Sequence, residues 1–342
     1  MTTEFIQQLL ASEVSPAKAR AILASEDDFL ASPLLTEVER NRARNAPLDA
    51  LTDALRNGAE PIRPAEMPEL LHELEIPPPA LFGCGDLGCL HRPTIAIVGT
   101  RGASTYGKAC AQKFAEAFAQ RGVTVVSGGA LGIDAAAHKG ALAVEGATAA
   151  VLACGVDVTY PAAHAGLFMQ IRERGAILSQ FACGSKPNEY KFLQRNSLIA
   201  ALSLAVLVVE APARSGALST ANIANDIGRP VFVVPANINN PNFLGSFALI
   251  RDGATLVDHP DQVLESLDLD TTPSLFAASS FAQTDANSLA GRILAVLTVE
   301  PQPTDKIVAA VGATASDVLG ELTMLELDGK ILRDGPGYAI KP

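Results

Sequence analysis

Residues 94–140 read TIAIVGTRGASTYGKACAQKFAEAFAQRGVTVVSGGALGIDAAAHKG. An apolar run, Ile95 to Val98, meets Gly99-Thr100-Arg101-Gly102, and a helical pattern then starts near Tyr106 and ends at Gly122. A second apolar run, Val123 to Val126, opens into Ser127-Gly128-Gly129 ahead of another helical pattern. Strand, glycine turn and helix, twice over, is the pattern of a doubly wound parallel sheet.

The same unit recurs downstream. Residues 147–155 (ATAAVLACG), 176–181 (AILSQF), 204–211 (LAVLVVEA) and 231–237 (VFVVPAN) read as strands, with helices over 160–175, 188–203 and 215–230 between them. A short helix and a last strand follow in FALIRDGATLVD, residues 247–258. The strands are continuously apolar rather than alternating, as expected where helices cover both faces of a sheet.

Outside this block the pattern changes. Short apolar-periodic segments up to about Leu55 predict a small helical module over 1–75, of the helix-hairpin-helix or sterile-alpha-motif type. Ser15 with Pro16 predicts one helix start, and Asp27 or Asp28 the next. The Pro- and Gly-rich stretch IPPPALFGCGDLGCLHRP leads into a Rossmann-like domain over 76–262, with Leu81 and Phe82 expected as a short edge strand. A Ser/Thr/Ala/Asp-rich linker is expected over 263–287. Residues 288–342 then predict three helices and two short strands around Gly335-Pro336-Gly337, a winged-helix pattern with a turn at Gly312 and a cap at Thr314 or Ser316. Its third helix, TASDVLGELTMLELD, carries four acidic residues and no Lys or Arg, which favours protein contact or packing over phosphate contact.

Charge follows the same divisions. The chain has 342 residues and a net charge of −11. Residues 1–92 carry −7, residues 93–258 carry +3 and residues 259–342 carry −7, so the sheet domain alone is mildly basic. Five cysteines form an odd set that argues against a disulfide framework. Cys84 and Cys89 lie near His91, but no second ligand pair completes four, and no metal is expected. No apolar run reaches the ~20 residues that span a bilayer, and MTTEFIQQLL lacks a signal-peptide pattern, so a cytoplasmic protein without membrane contact is expected.

In open parallel sheets, ligands meet the loops after the strands. A nicotinamide site would need GxGxxG and an acid ending the second strand; the chain has GTRGAS and Ser127. A phosphate loop of the GxxxxGK[ST] kind also fails, because GASTYGKA lacks the final hydroxyl. No cofactor is therefore expected. The loop residues that remain suit phosphate: amides at Gly99, Thr100 and Gly102 and the planar cation of Arg101, with Ser127 and Gly128 after the second strand as further loop candidates. Lys191, Phe192, Arg195 and Asn196 combine two cations, an aromatic face and an amide at a helix entry. A base stacks on an aromatic ring while cations take the backbone. The residues alone leave open a Phe192 in the core and an Arg195 paired with a carboxylate. Asp134 is expected to fix the SGGALGID turn, and Glu210 to hold the loop leading to Ser215.

VGTRGAS, SGGALGIDAAAHKGAL, GVDVTYP, FLQRNSLIAALS, VVEAPARSGALSTANIANDIGRPVFVVPAN and FALIRDGA come in the order and near the spacing of the DprA/Smf family, which residues 90–260 resemble. The resemblance implies a non-enzymatic protein of natural transformation and competence that binds single-stranded DNA, loads the RecA recombinase and forms a homodimer. It assigns DNA contact to Arg101, Lys191 and Phe192. The chain departs from the family pattern at Leu131, Glu189 and Ala236, where members often carry Arg, a basic residue and Gly; Lys186 or Lys191 is expected to compensate. Nucleotide-monophosphate phosphoribohydrolases resemble the same sheet, but their PGGxGTxxE helix start reads EAPARSGALSTA here, without the acid.

Overall fold

The computed structural model describes residues 1–24, 29–269, 288–298, 301–327, 331–334 and 337–340. These fall into two compact units, Met1–Ser274 and Leu275–Pro342.

The first unit begins with α1 (Thr3–Ala11), α2 (Pro16–Leu23), α3 (Glu37–Arg44) and α4 (Leu48–Arg56). Ser15 caps α2 by accepting from Lys18 N, with Pro16 in the first turn, as the sequence predicts; Asp27 and Asp28 lie outside the described residues. Leu9, Ala19, Ile22, Phe29 and Leu35 close a small core among these helices. Ile6 and Leu10, on the same α1, pack instead with Phe82 of the sheet and with Cys183 in a loop that follows one of its strands.

The chain then forms β1 (Ala59–Ile62), α5 (Glu69–His72), β2 (Leu81–Gly85), β3 (Thr94–Gly99), α6 (Thr105–Gln120), β4 (Thr124–Ser127), α7 (Ile133–Ala143) and β5 (Thr148–Val151). It continues through α8 (Ala165–Arg174), β6 (Ala176–Ser179), α9 (Glu189–Ala201), β7 (Ala205–Glu210), α10 (Gly216–Asp226), β8 (Val231–Val233), α11 (Leu244–Arg251), β9 (Thr255–Leu256) and α12 (Pro260–Ser266). All nine strands form one sheet in the order β1-β2-β6-β5-β4-β3-β7-β8-β9. From β6 to β9 every pairing is parallel. β2 pairs antiparallel with both β6 and β1.

Two expectations change here. The strand at Leu81 and Phe82 is internal; the edge is β1, whose Pro61 suits a position that needs no ladder donor on one side. The sheet therefore takes in residues 59–62, on the N-terminal side of the expected boundary at 75. At the other end, α12 occupies the first residues of the expected linker, of which 270–287 lies outside the described residues.

Successive side chains of one strand enter opposite cores, which explains the unbroken apolar runs. Ala96 and Val98 of β3 pack under α9 and α10. Ile95 and Ile97 pack under α6, α7 and α12. No single helix among the described residues is long and apolar enough to cross a membrane. Cys84 and Cys89 are buried, and burial pushes the Cys89 thiol up to about 12.

The second unit contains α13 (Leu289–Val296), β10 (Gln302–Pro303), α14 (Thr304–Val311), α15 (Ala315–Leu327), β11 (Ile331–Asp334) and β12 (Gly337–Ile340). Its strands form a three-stranded sheet, β10-β12-β11. Gly312 ends α14 in the left-handed conformation, φ 67°. Thr314 Oγ1 then accepts from Asp317 N at the start of α15. Ile293, Ile307, Val318, Leu322 and Tyr338 close its core. Residues 335–336 of the expected turn lie outside the described residues.

Candidate nucleic-acid interface

The chain runs outward from β3 through β4 and β5 to β6, then crosses back to β7 on the other side of β3. That reversal leaves a crevice at the carboxyl ends of β3 and β7, where open α/β sheets place ligands. The cleft there has a volume of about 290 Å³. Four segments line it: Val98 to Arg101 at the end of β3, Ala130 and Asp134 at the start of α7, Phe192 to Ile199 on α9, and Pro212 to Thr220 from the loop after β7 into α10.

The loop after β3 is tightly fixed. Thr100 N donates to Glu210 O at 2.7 Å, and Thr100 O accepts from Ile133 N at 3.2 Å. Ser104 donates to the Glu210 carboxylate through its N at 3.0 Å and its Oγ at 2.7 Å. Glu210 was expected to hold the Ser215 loop; it holds this one, because β7 lies directly beside β3 and its carboxylate faces the neighbouring strand's loop. Gly132, at φ +80°, leaves no room for a Cβ against the carbonyls of Thr100 and Arg101. On this fixed loop Arg101 is exposed, and its guanidinium lies 4.6 Å from the centroid of the half-buried Phe192 ring. Tyr160 approaches the same ring, with centroids 5.9 Å apart.

The cations of α9 are used differently. Arg195 is only 5% exposed; its Nη1 donates to Gly128 O and Val151 O, and its Nε to Asn196 Oδ1. It occupies the space that a Cβ on Gly128 would need. Asn196 in turn donates to Gly216 O at 3.2 Å, tying α9 to α10. Burial pushes the Asp134 carboxyl up while the Arg195 charge opposes that, and Asp134 accepts from Ala130 N, fixing the turn as expected. Burial likewise lowers the Arg195 pKa against the pull of Asp134.

Lys191 is 6% exposed and does not line the cleft. Its Nζ donates to Ser185 Oγ and Lys186 O and pairs with Glu13 at 3.1 Å. The helical module thus closes over it, leaving exposed Lys186 as the cation of that loop open to solvent. Ser127 is fully buried and donates to Ile97 O, so it braces β4 against β3. Gly102 is exposed at the loop tip, outside the cleft lining. Gly128 lines a small recess beside the cleft, together with Tyr160 and Leu131. Of the ten expected residues, the structure gathers Gly99, Thr100, Arg101, Phe192, Arg195 and Asn196 around one cleft.

Sequence reasoning passed over Arg214 and Tyr160. Arg214 is exposed on the far wall beside Ser215, which caps α10 by accepting from Ala217 N. A cation in the loop after the strand flanking the switch point was the available signal.

The family model described as DNA recombination-mediator protein A matches residues 61–268, and the one for the DprA winged helix domain matches 277–337. The chain belongs to the DprA/Smf family. Protein Smf of Escherichia coli is 40% identical over 79% of this chain and 74% of its own length. Protein Smf of Synechocystis is 34% identical over 94% and 89%. Among solved DprA structures, that from Streptococcus pneumoniae is 31% identical with a TM-score of 0.68, covering 78% of this chain and 98% of the other. DNA processing protein A of Helicobacter pylori, whose structure was described for its single-stranded DNA binding mode, is 31% identical with a TM-score of 0.57 over 62% and 97%.

Proposed function

We propose that this protein binds single-stranded DNA without reading its sequence, has no enzymatic activity, and passes the strand to the RecA recombinase. One observation carries the DNA reading: an exposed arginine lying on a half-exposed phenylalanine ring at the rim of the switch-point cleft. Arg101 offers a planar cation to a backbone phosphate, and the Phe192–Arg101 stack offers a face to a base, with about 1–3 kcal/mol for each stacked base. The single-stranded DNA binding of the Helicobacter pylori relative supports the same reading. Recombinase loading and homodimer formation rest on the family resemblance.

The lack of enzymatic activity is supported by the carboxylates. Asp134 is the one acid lining the cleft among the described residues, and it is bound to the Ala130 turn. Glu210 is wholly buried and engaged by Ser104. A phosphoribohydrolase would need a free acid at the α10 start, and incubation with nucleoside monophosphates is expected to release no base.

Titration with oligo-dT at several salt concentrations tests the site. Arg101→Ala is expected to weaken binding about tenfold and to lower the salt slope by about 0.7, the loss of one single-strand phosphate contact. Phe192→Ala is expected to weaken binding while leaving the slope unchanged. Wild-type affinity and slope in both variants would overturn the assignment.

A further inference from the structure

Glu210 ends β7 beneath the loop that carries Arg101, with its side chain fully buried. The residue reaches that loop at two places. Its backbone carbonyl accepts from Thr100 N, one residue before Arg101. Its carboxylate accepts from Ser104 N and Oγ, three residues after. A third donor, Asn242 Nδ2, reaches the other carboxylate oxygen at 2.7 Å from the turn before α11. The β3–β7 ladder shifts register at this point, where Gly99 pairs with Glu210. The start of α6 packs so closely on the carboxylate that Gly107 has no room for a Cβ.

Three N–H or O–H donors converging on one buried side chain call for acceptors at both of its terminal oxygens. Glutamine would keep one acceptor oxygen and bring an N–H against the remaining donors. Alanine would leave buried donors without a partner. The loop would then keep the backbone bonds of Thr100 but lose its anchor at Ser104, on the far side of Arg101, and Arg101 would lose its fixed place over Phe192.

We infer that Glu210 is the positioning residue of the cleft: it holds residues 99–104 so that Arg101 is set over Phe192 before any ligand arrives. The inference rests on the reading of this cleft as the DNA site. Its test combines amide hydrogen exchange with oligo-dT titration for Glu210→Ala, Glu210→Gln and the double variant Glu210→Ala/Arg101→Ala. Exchange at Thr100 and Ser104 is expected to quicken in Glu210→Ala. Affinity and salt slope should fall to the Arg101→Ala level, Glu210→Gln should be intermediate, and the double variant should bind no more weakly than Arg101→Ala alone. Additive losses in the double variant, or unchanged exchange in Glu210→Ala, would overturn the inference. If Glu210→Ala does not fold, Asn242→Ala removes one of the three donors to the carboxylate without touching the cap of α6. Exchange at Ser104 is then expected to quicken in the same direction but less, and unchanged exchange would overturn the inference. Absence of salt-dependent oligo-dT binding by the wild type counts against the proposed function instead, and the exchange result alone then decides the role of Glu210.

Discussion

The loop after β3 and the first two turns of α9 both bring cations to the switch point, under opposite conditions. Arg101 is exposed and lies on an aromatic ring, whereas Arg195 and Lys191 are 5% and 6% exposed and end on carbonyls, a hydroxyl and Glu13. Withdrawing a buried cation from fixed partners leaves those partners unpaired in a poorly solvated place, a cost far above that of moving a surface side chain. A motif such as KFLQRN can therefore supply three residues near one site of which only the aromatic is offered to a ligand.

Breaking the inner side should have the largest effect. Arg195→Ala leaves Gly128 O and Val151 O without their donor and Asp134 without its opposing charge; a loss of about 3–5 kcal/mol is expected in urea denaturation. A small loss there would mean that the guanidinium is not structural. Lys191→Met keeps the apolar stem and removes the ammonium from a partly solvated Glu13, for an expected cost of about 1–2 kcal/mol. The oligo-dT salt slope should not change; a drop equal to that of Arg101→Ala would erase the contrast between the two regions.

Acid sharpens it further. His138 is fully buried, and burial, together with the nearby His164 and Arg195 charges, pushes its imidazole down to about 3. The unfolded chain takes up this proton near 6.5 and the folded chain only near 3. The unfolded state thus binds more protons in that window, and stability falls as pH drops through it, by up to about 1.4 kcal/mol per unit. Comparing urea midpoints at pH 7 and pH 5 should show a smaller fall in His138→Gln than in the wild type.

The parallel strands were legible because each is a continuous apolar run closed by glycine or a polar turn. The antiparallel end was legible only in part: Leu81 and Phe82 of β2 were expected as a strand, though at the edge, while β1, AEPI, is too short and too broken by Pro to show a period. In the site, Gly99 to Arg101 followed from the rule that loops after strands carry function, and Phe192 from the cluster of cations, aromatic and amide that opens α9. The burial of Lys191 did not, since its partner Glu13 lies 178 residues away and only tertiary packing brings the two together. Likewise, which loop Glu210 holds depends on strand order, and a sequence lists strands only in the order of the chain.

Gly128 carries a consequence for variation at this site. Its backbone is not in the left-handed region; the obstacles to a side chain are the Arg195 guanidinium and the Asp134 carboxylate. Position 128 is therefore coupled to both 195 and 134: a larger residue at 128 can be accommodated only if both neighbouring side chains give way. Among variants that still fold, a change at 128 should come with changes at 195 and 134, whereas Gly132 is held by its own backbone and should not change with them.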